Sequence, residues 1–268
     1  MFELVNHGPD TFVGTGPRYP WGGLYGGQIV AQALRAAALT VDEEYRAHSI
    51  RAYFIRRGDH QEPVRYEVDR IRNGRSFVTR RVVARQAIGA ILNAECSFQR
   101  PEESLEFQTI QAPSVTPPDA AENTSFSQHF DRRFTGPTAD NTVERDGEGR
   151  VMAWMRVPHE LPESGAPDAD IIQQCWLAYL SDDLATDTVR SAHTTHRIDE
   201  GEPRYTGVSL DHTIWFHRPF RADAWQLHDF SCHHFTGSRG LAVGHVFEAD
   251  GTHIATVTQE VLLREPKE

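Results

Sequence analysis

Familiar catalytic spacings are scarce in this chain, and the missing ones narrow its chemistry. There is no Gly-x-Ser-x-Gly elbow. The nearest run, Gly237-Ser238-Arg239-Gly240, has the wrong spacing, which argues against an α/β-hydrolase serine. No loop ends in Gly-Lys-Ser/Thr, and Gly14-Thr15-Gly16 lacks the third glycine of a dinucleotide fingerprint. Among 14 histidines the metal candidates are His193-x-x-His196 and His233-His234, neither with flanking ligands of a known site class. Neighbours on a strand point to opposite faces, so His233 and His234 are poorly placed to share an ion, and solvated or hydrogen-bonded roles are expected. Asp211-His212 has acid–base types, but the same divergence favours a structural role. Cys96 and Cys232 sit in apolar strand segments, where free cysteine behaves as a small hydrophobe. What remains is water activation. A carboxylate with one or two neutral hydrogen-bonding side chains can hold a water and deprotonate it against a carbonyl carbon.

The bulk composition is that of an ordinary soluble globular protein. The chain has 268 residues, 39% hydrophobic and 24% charged, enough for one large or two small domains. A net charge of -11 argues against nucleic acid, whose binding rests on neutralising phosphates. Arg70, Arg72, Arg75, Arg80 and Arg81 nevertheless crowd one segment. Three separated cysteines, Cys96, Cys175 and Cys232, suit free thiols in a reducing compartment. No signal peptide is visible, no apolar run reaches the length of about 18 residues that a span requires, and the C-terminus is not a peroxisomal address. The cytosol is the expected location, without a membrane span. No bound cofactor or metal is expected.

The elements that must position the chemistry look duplicated. Phe54 and Phe216, Ser76 and Ser238, Gly89 and Gly251, and Ala94 and Thr256 are all 162 residues apart. A constant offset without insertions predicts a repeated unit. Residues 28–39 are good helix formers, apolar nearly all round, and so predict a buried helix. Strands are expected at 49–55, 64–72, 76–86 and 90–99, with a hairpin turn at Gly89. Proline-rich, polar residues from 100 onward predict a linker, placed at 101–130 between halves 1–100 and 131–268. In the second half a strand is expected at 151–157 and a helix at 168–181, capped by Asp168 or Asp170. Residues 140–149 and 184–207 read as polar and irregular. Further strands are expected at 209–216, 225–234, 241–248 and 252–263. Trp215, Phe216 and Phe220 are expected in the core. The class is α+β, with an antiparallel sheet curved around one helix in each half.

Several motifs together carry a resemblance. They are Tyr25-Gly26-Gly27-Gln28 opening a helix, Asn73-Gly74-Arg75-Ser76-Phe77, Ala94-x-x-Ser97-Phe98-Gln99, and Ser209-x-Asp211-His212-x-x-Trp215-Phe216-His217-Arg218-Pro219-Phe220. With these the chain resembles acyl-CoA thioesterase II, the TesB type, over nearly its whole length. The resemblance implies a double hot-dog fold and hydrolysis of fatty acyl-CoA to free fatty acid and coenzyme A. It also implies a water-activating group. Asp182 matches its aspartate, after Tyr179-Leu180-Ser181, and Gln259 matches its glutamine. Ser209 stands where the family has threonine, which keeps the hydroxyl and loses a methyl. Asp183, where the family usually has an apolar or neutral residue, is the alternative carboxylate. Apart from the resemblance, Asp182 reads as an exposed helix-end residue, Ser209 as a plain strand serine and Gln259 as solvent-facing. The Gly26-Gly27 start is either a tight packing turn or a pair of N–H groups that polarise a thioester carbonyl. A homo-oligomer that takes acyl-CoA as substrate is expected. A binding module without turnover and an enoyl-CoA hydratase stand as alternatives.

Overall fold

The computed structural model describes residues 1–136, 149–195 and 206–264, the side chain of Thr195 excepted. In chain order the elements are β1 Val5–Asn6, β2 Thr11–Gly14, α1 Gly26–Ala38, β3 Arg46–Phe54, β4 Val64–Asn73, β5 Phe77–Gln86 and β6 Gly89–Gln99. Then come β7 Asp131–Thr135, β8 Arg150–Arg156, α2 Ala169–Ser181, α3 Leu184–Thr195, β9 Thr206–Ser209, β10 Asp211–Phe216, β11 Gln226–Thr236, β12 Arg239–Glu248 and β13 His253–Arg264. Two compact units result. One comprises Met1–Glu106, Leu161–Tyr179 and Asp211–Phe216; the other comprises Phe107–Glu160, Leu180–Leu210 and His217–Glu268.

In the first unit the strands run β1-β2-β4-β5-β6-β3-β10, all neighbours antiparallel. Helix α1 lies against them and is buried without a break from Gly27 to Leu34. An all-apolar helix with two glutamines needs partners for those amides. Gln32 finds them: its Nε2 donates to the carbonyls of Met1 (3.0 Å) and Thr15 (2.8 Å), and its Oε1 accepts from the Tyr66 hydroxyl (2.7 Å). Arg80 is a buried guanidinium held by oxygens rather than by a carboxylate. It donates to Thr40 Oγ1, Asn73 Oδ1 and the Thr40 carbonyl, at 2.7–3.0 Å.

In the second unit the order is β13-β12-β11-β8-β7, with β9 also on β13. β4-β5-β6 of the first unit correspond to β11-β12-β13 of the second, and the matched pairs fall at equivalent places. Ser76 and Ser238 each precede a strand, Gly89 and Gly251 each lie at a β-turn with positive φ, and Ala94 and Thr256 lie on β6 and β13. Helix α3 packs on β8, β11, β12 and β13.

Three expectations change. Residues 184–195 are helical rather than irregular, because Leu184, Ala185, Val189 and Ala192 form one buried stripe that outweighs threonine's poor helix propensity. The strand expected at 209–216 is two strands. Ser209 pairs with Val261 whereas Asp211 pairs with Tyr53, so the ladder changes partner at Leu210. Trp215 is not core; it is half-exposed, with the Arg51 guanidinium 5.6 Å from its ring centre, while Phe216 and Phe220 are buried as expected. The segment after Arg100 is irregular apart from one short helical turn, yet it is not loose. Ala112 and Val115 cover a cluster of Met152, Trp154, Leu227 and Phe247, and Trp154 Nε1 donates to the Thr116 carbonyl at 2.8 Å. Of the polar turn expected at 140–149 only Gly149 is described, and His196 also lies outside the described residues. No helix among the described residues is long and apolar enough to cross a membrane.

Candidate active site

Helix α2 ends at Ser181 and the chain turns through Asp182 and Asp183 before α3 begins. Both carboxylates are turned away from water. Asp182 is only 7% exposed, which replaces the solvated helix-end reading. β9 ends at Ser209, opposite Val261 of β13. Gln259 lies two residues from Val261 and so projects from the same face, diagonal to Ser209. It is fully buried rather than solvent-facing.

These placements bring the three matched side chains into one chain of contacts. Gln259 Nε2 donates to Ser209 Oγ at 2.7 Å, and Ser209 Oγ donates to Asp182 Oδ1 at 3.5 Å. A hydroxyl has one proton and two lone pairs, so Ser209 can accept from Gln259 and donate to Asp182 at once. The first contact is short and the second lies at the outer limit of a hydrogen bond. The serine hydroxyl thus stands between the Gln259 amide and the Asp182 carboxylate.

Asp183 sits in a different network. Its Oδ2 accepts from Arg132 Nη1 at 2.7 Å, and its side chain is 4% exposed. Burial raises its pKa to about 6; the Arg132 charge opposes that rise and the Asp187 charge adds to it. Arg132 carried no signal as a site residue. It lies 51 positions from Asp183, on β7, a strand that shows no clean alternation.

Gly27 has a packing role. A Cβ there would stand 2.4 Å from the Tyr179 carbonyl oxygen, the atom that also accepts from the Tyr25 hydroxyl at 2.9 Å. Gly27→Ala should therefore force backbone apart and lower stability by about 1–3 kcal/mol, read as a drop in urea midpoint. An unchanged midpoint would remove this role.

The remaining nucleophile and metal candidates are weak. Burial pushes the Cys175 thiol up to about 12 and raises that of Cys96 as well, so neither supplies a thiolate at neutral pH. Among the described residues no three His, Cys, Asp or Glu side chains are placed to hold a metal ion. Sequence reasoning missed a histidine group on the second unit. His217 Nε2 lies 2.8 Å from Thr256 Oγ1, and His253 Nε2 lies 3.3 Å from both Thr256 Oγ1 and His245 Nδ1. Burial and the neighbouring positive groups lower the pKa of all three, that of His253 to about 4.

Comparison with known proteins identifies the family. Residues 15–99 match the acyl-CoA thioesterase N-terminal domain and residues 108–263 the acyl-CoA thioesterase C-terminal domain. Acyl-CoA thioesterase 2 of Haemophilus influenzae is 36% identical over 253 residues, covering 90% of this chain and 87% of that protein. Human acyl-coenzyme A thioesterase 8 is 33% identical over 267 residues, covering 90% and 80%. Among solved structures, the acyl-CoA thioesterase II TesB2 from Mycobacterium marinum superposes with a TM-score of 0.84 at 33% identity, covering 99% of this chain and 97% of that one. A hot-dog-fold protein from Alicyclobacillus acidocaldarius, at 19% identity and a TM-score of 0.77 over 99% and 97%, supports the fold alone. The chain thus belongs to the TesB-type acyl-CoA thioesterase II family, with its double hot-dog fold and thioester-hydrolase activity.

Proposed function

We propose that this enzyme hydrolyses fatty acyl-CoA by direct attack of one water held between Asp182, Ser209 and Gln259. The observation that carries the reading is the contact chain itself: residues 182, 209 and 259 are far apart in sequence, yet their polar atoms meet. Asp182 takes a proton from the water, and the hydroxide adds to the thioester carbonyl carbon. The tetrahedral adduct collapses, the C–S bond breaks, and the proton held by Asp182 passes to the departing sulfur. The products are the fatty acid and coenzyme A. Ser209 and Gln259 orient the water and fix its lone pair toward the carbon. No step needs a metal or a bound cofactor. The acyl chain would lie along an apolar channel beside a helix. Surface arginines are the natural partners of the coenzyme A phosphates. Free cysteines suit a reducing compartment, which supports a cytosolic location, and a homo-oligomer is the expected state.

Thiol release from straight-chain acyl-CoAs of increasing length tests this reading. Turnover with at least part of the series is expected. Tight acyl-CoA binding with no thiol released would favour a binding module, and water addition to an enoyl-CoA would favour a hydratase.

A further inference from the structure

Two carboxylates in succession at the end of a helix are electrostatically awkward. The helix dipole is negative there, and each charge disfavours ionisation of the other. In this chain both are also withdrawn from water, with Asp182 7% exposed and the Asp183 side chain 4% exposed. Both lie on the one short turn between α2 and α3, so whatever holds the Asp183 carboxylate also fixes where Asp182 sits. Arg132 is the group that meets that carboxylate.

Arg132 is fixed from several sides. Its Nη1 reaches Asp183 at 2.7 Å and its Nη2 donates to the Thr124 carbonyl at 2.6 Å. Its guanidinium carbon lies 4.8 Å from the centre of the Phe134 ring. Its backbone N–H donates to Asn123 Oδ1 at 3.0 Å, and its carbonyl accepts from the Thr124 N–H at 2.8 Å. The Arg132 side chain is 12% exposed, so the pair is little screened. The other charge acting on Asp183 is Asp187 of α3. Asp187 is met by Arg190 one turn later, at 2.9 Å. Arg132 is thus the cation that contacts Asp183 directly.

We propose that Arg132 and Asp183 form a charge clamp that holds the turn carrying Asp182 in place, with its carboxylate beside Ser209. They are positioning residues; neither touches the substrate. The proposal rests on Asp182 being the base. The ionised state of Asp183 maintains the clamp, so protonation of Asp183 releases it. In the wild type the acid limb of activity accordingly contains the titration of Asp183, which burial raises to about 6. Without Arg132, Asp183 holds its proton to higher pH, and the clamp is open near neutrality.

The test is the pH profile of kcat for wild type, Arg132→Gln, Arg132→Lys and Asp183→Asn, with KM measured at each pH. In Arg132→Gln the acid limb should move up by about one pH unit, a loss of roughly fivefold in rate at pH 6 at similar KM. Arg132→Lys should recover most of that shift, because it restores the charge. Asp183→Asn should lose the wild-type limb near pH 6, on a lower plateau. Superimposable profiles for wild type, Arg132→Gln and Asp183→Asn, after correction for folded fraction, would overturn the clamp. If Arg132→Gln does not fold, Asp183→Asn and Arg132→Lys decide alone: an unshifted limb in Asp183→Asn overturns the proposal. Failure here is distinguishable from failure of the water-activation reading, since wild-type turnover and its loss in Asp182→Asn are independent of Arg132.

Discussion

Asp182→Asn should lower kcat by about 10²- to 10⁴-fold, with little change in KM or in thermal stability. Asparagine keeps the volume of aspartate and an oxygen that can accept from Ser209 Oγ, so the contact at 3.5 Å has a substitute. It has no basic lone pair to take the proton of water. The loss therefore falls on the transition state rather than on substrate binding. Because Asp182 is 7% exposed, removing its charge also relieves a desolvation cost, and the variant should be at least as stable as wild type. A variant that retains half of the wild-type rate would take Asp182 out of the mechanism.

The second large effect concerns stability in acid. His228 on β11 is fully buried, and among the described residues neither ring nitrogen has a hydrogen-bond partner. Ala153 and Val246 lie opposite it on the flanking strands. Burial lowers its pKa to about 3. An unfolded histidine titrates near 6.5, so between those values the unfolded chain binds a proton that the folded chain refuses. Stability is thus complete above about pH 6.5 and falls as pH drops toward about 3, by up to ~1.4 kcal/mol per pH unit from this residue. His253, lowered to about 4, adds to the same flank. His228→Leu should shift the acid unfolding midpoint downward and leave neutral stability equal or higher, since it removes polar atoms buried without partners. Urea midpoints from pH 7 to pH 4 would show it. An acid flank identical to wild type would mean that His228 does not titrate as its burial requires.

How far the chain could be read without its structure depended on how local each signal was. Most of the strands and both long helices showed themselves through β-branched runs, turn glycines and helix formers, signals that lie within a few residues. Helix α3 did not, because its threonines argue against a helix and only tertiary burial of Leu184, Ala185, Val189 and Ala192 decides otherwise. β7 was missed for a similar reason: Asp131-Arg132-Arg133-Phe134-Thr135 is mostly half-buried and has no alternation to read. The site divides the same way. Asp182, Ser209 and Gln259 are ordinary residue types in ordinary places, and only family motifs single them out. Their meeting depends on the ladder register between β9 and β13, which sequence spacing does not encode. What separates Asp182 from Asp183 in their surroundings is Arg132, a distant residue whose side chain occupies the Asp183 carboxylate and which no local signal announces.

If Asp182, Ser209 and Gln259 act together on one water, a double-variant cycle will reveal it. Thiol release would be compared for Asp182→Asn, Ser209→Ala and the two together, under saturating acyl-CoA. Groups that act as a unit are strongly non-additive, so the double variant should be scarcely slower than Asp182→Asn alone. Losses that multiply would contradict the account, because Asp182 and Ser209 would then serve separate steps.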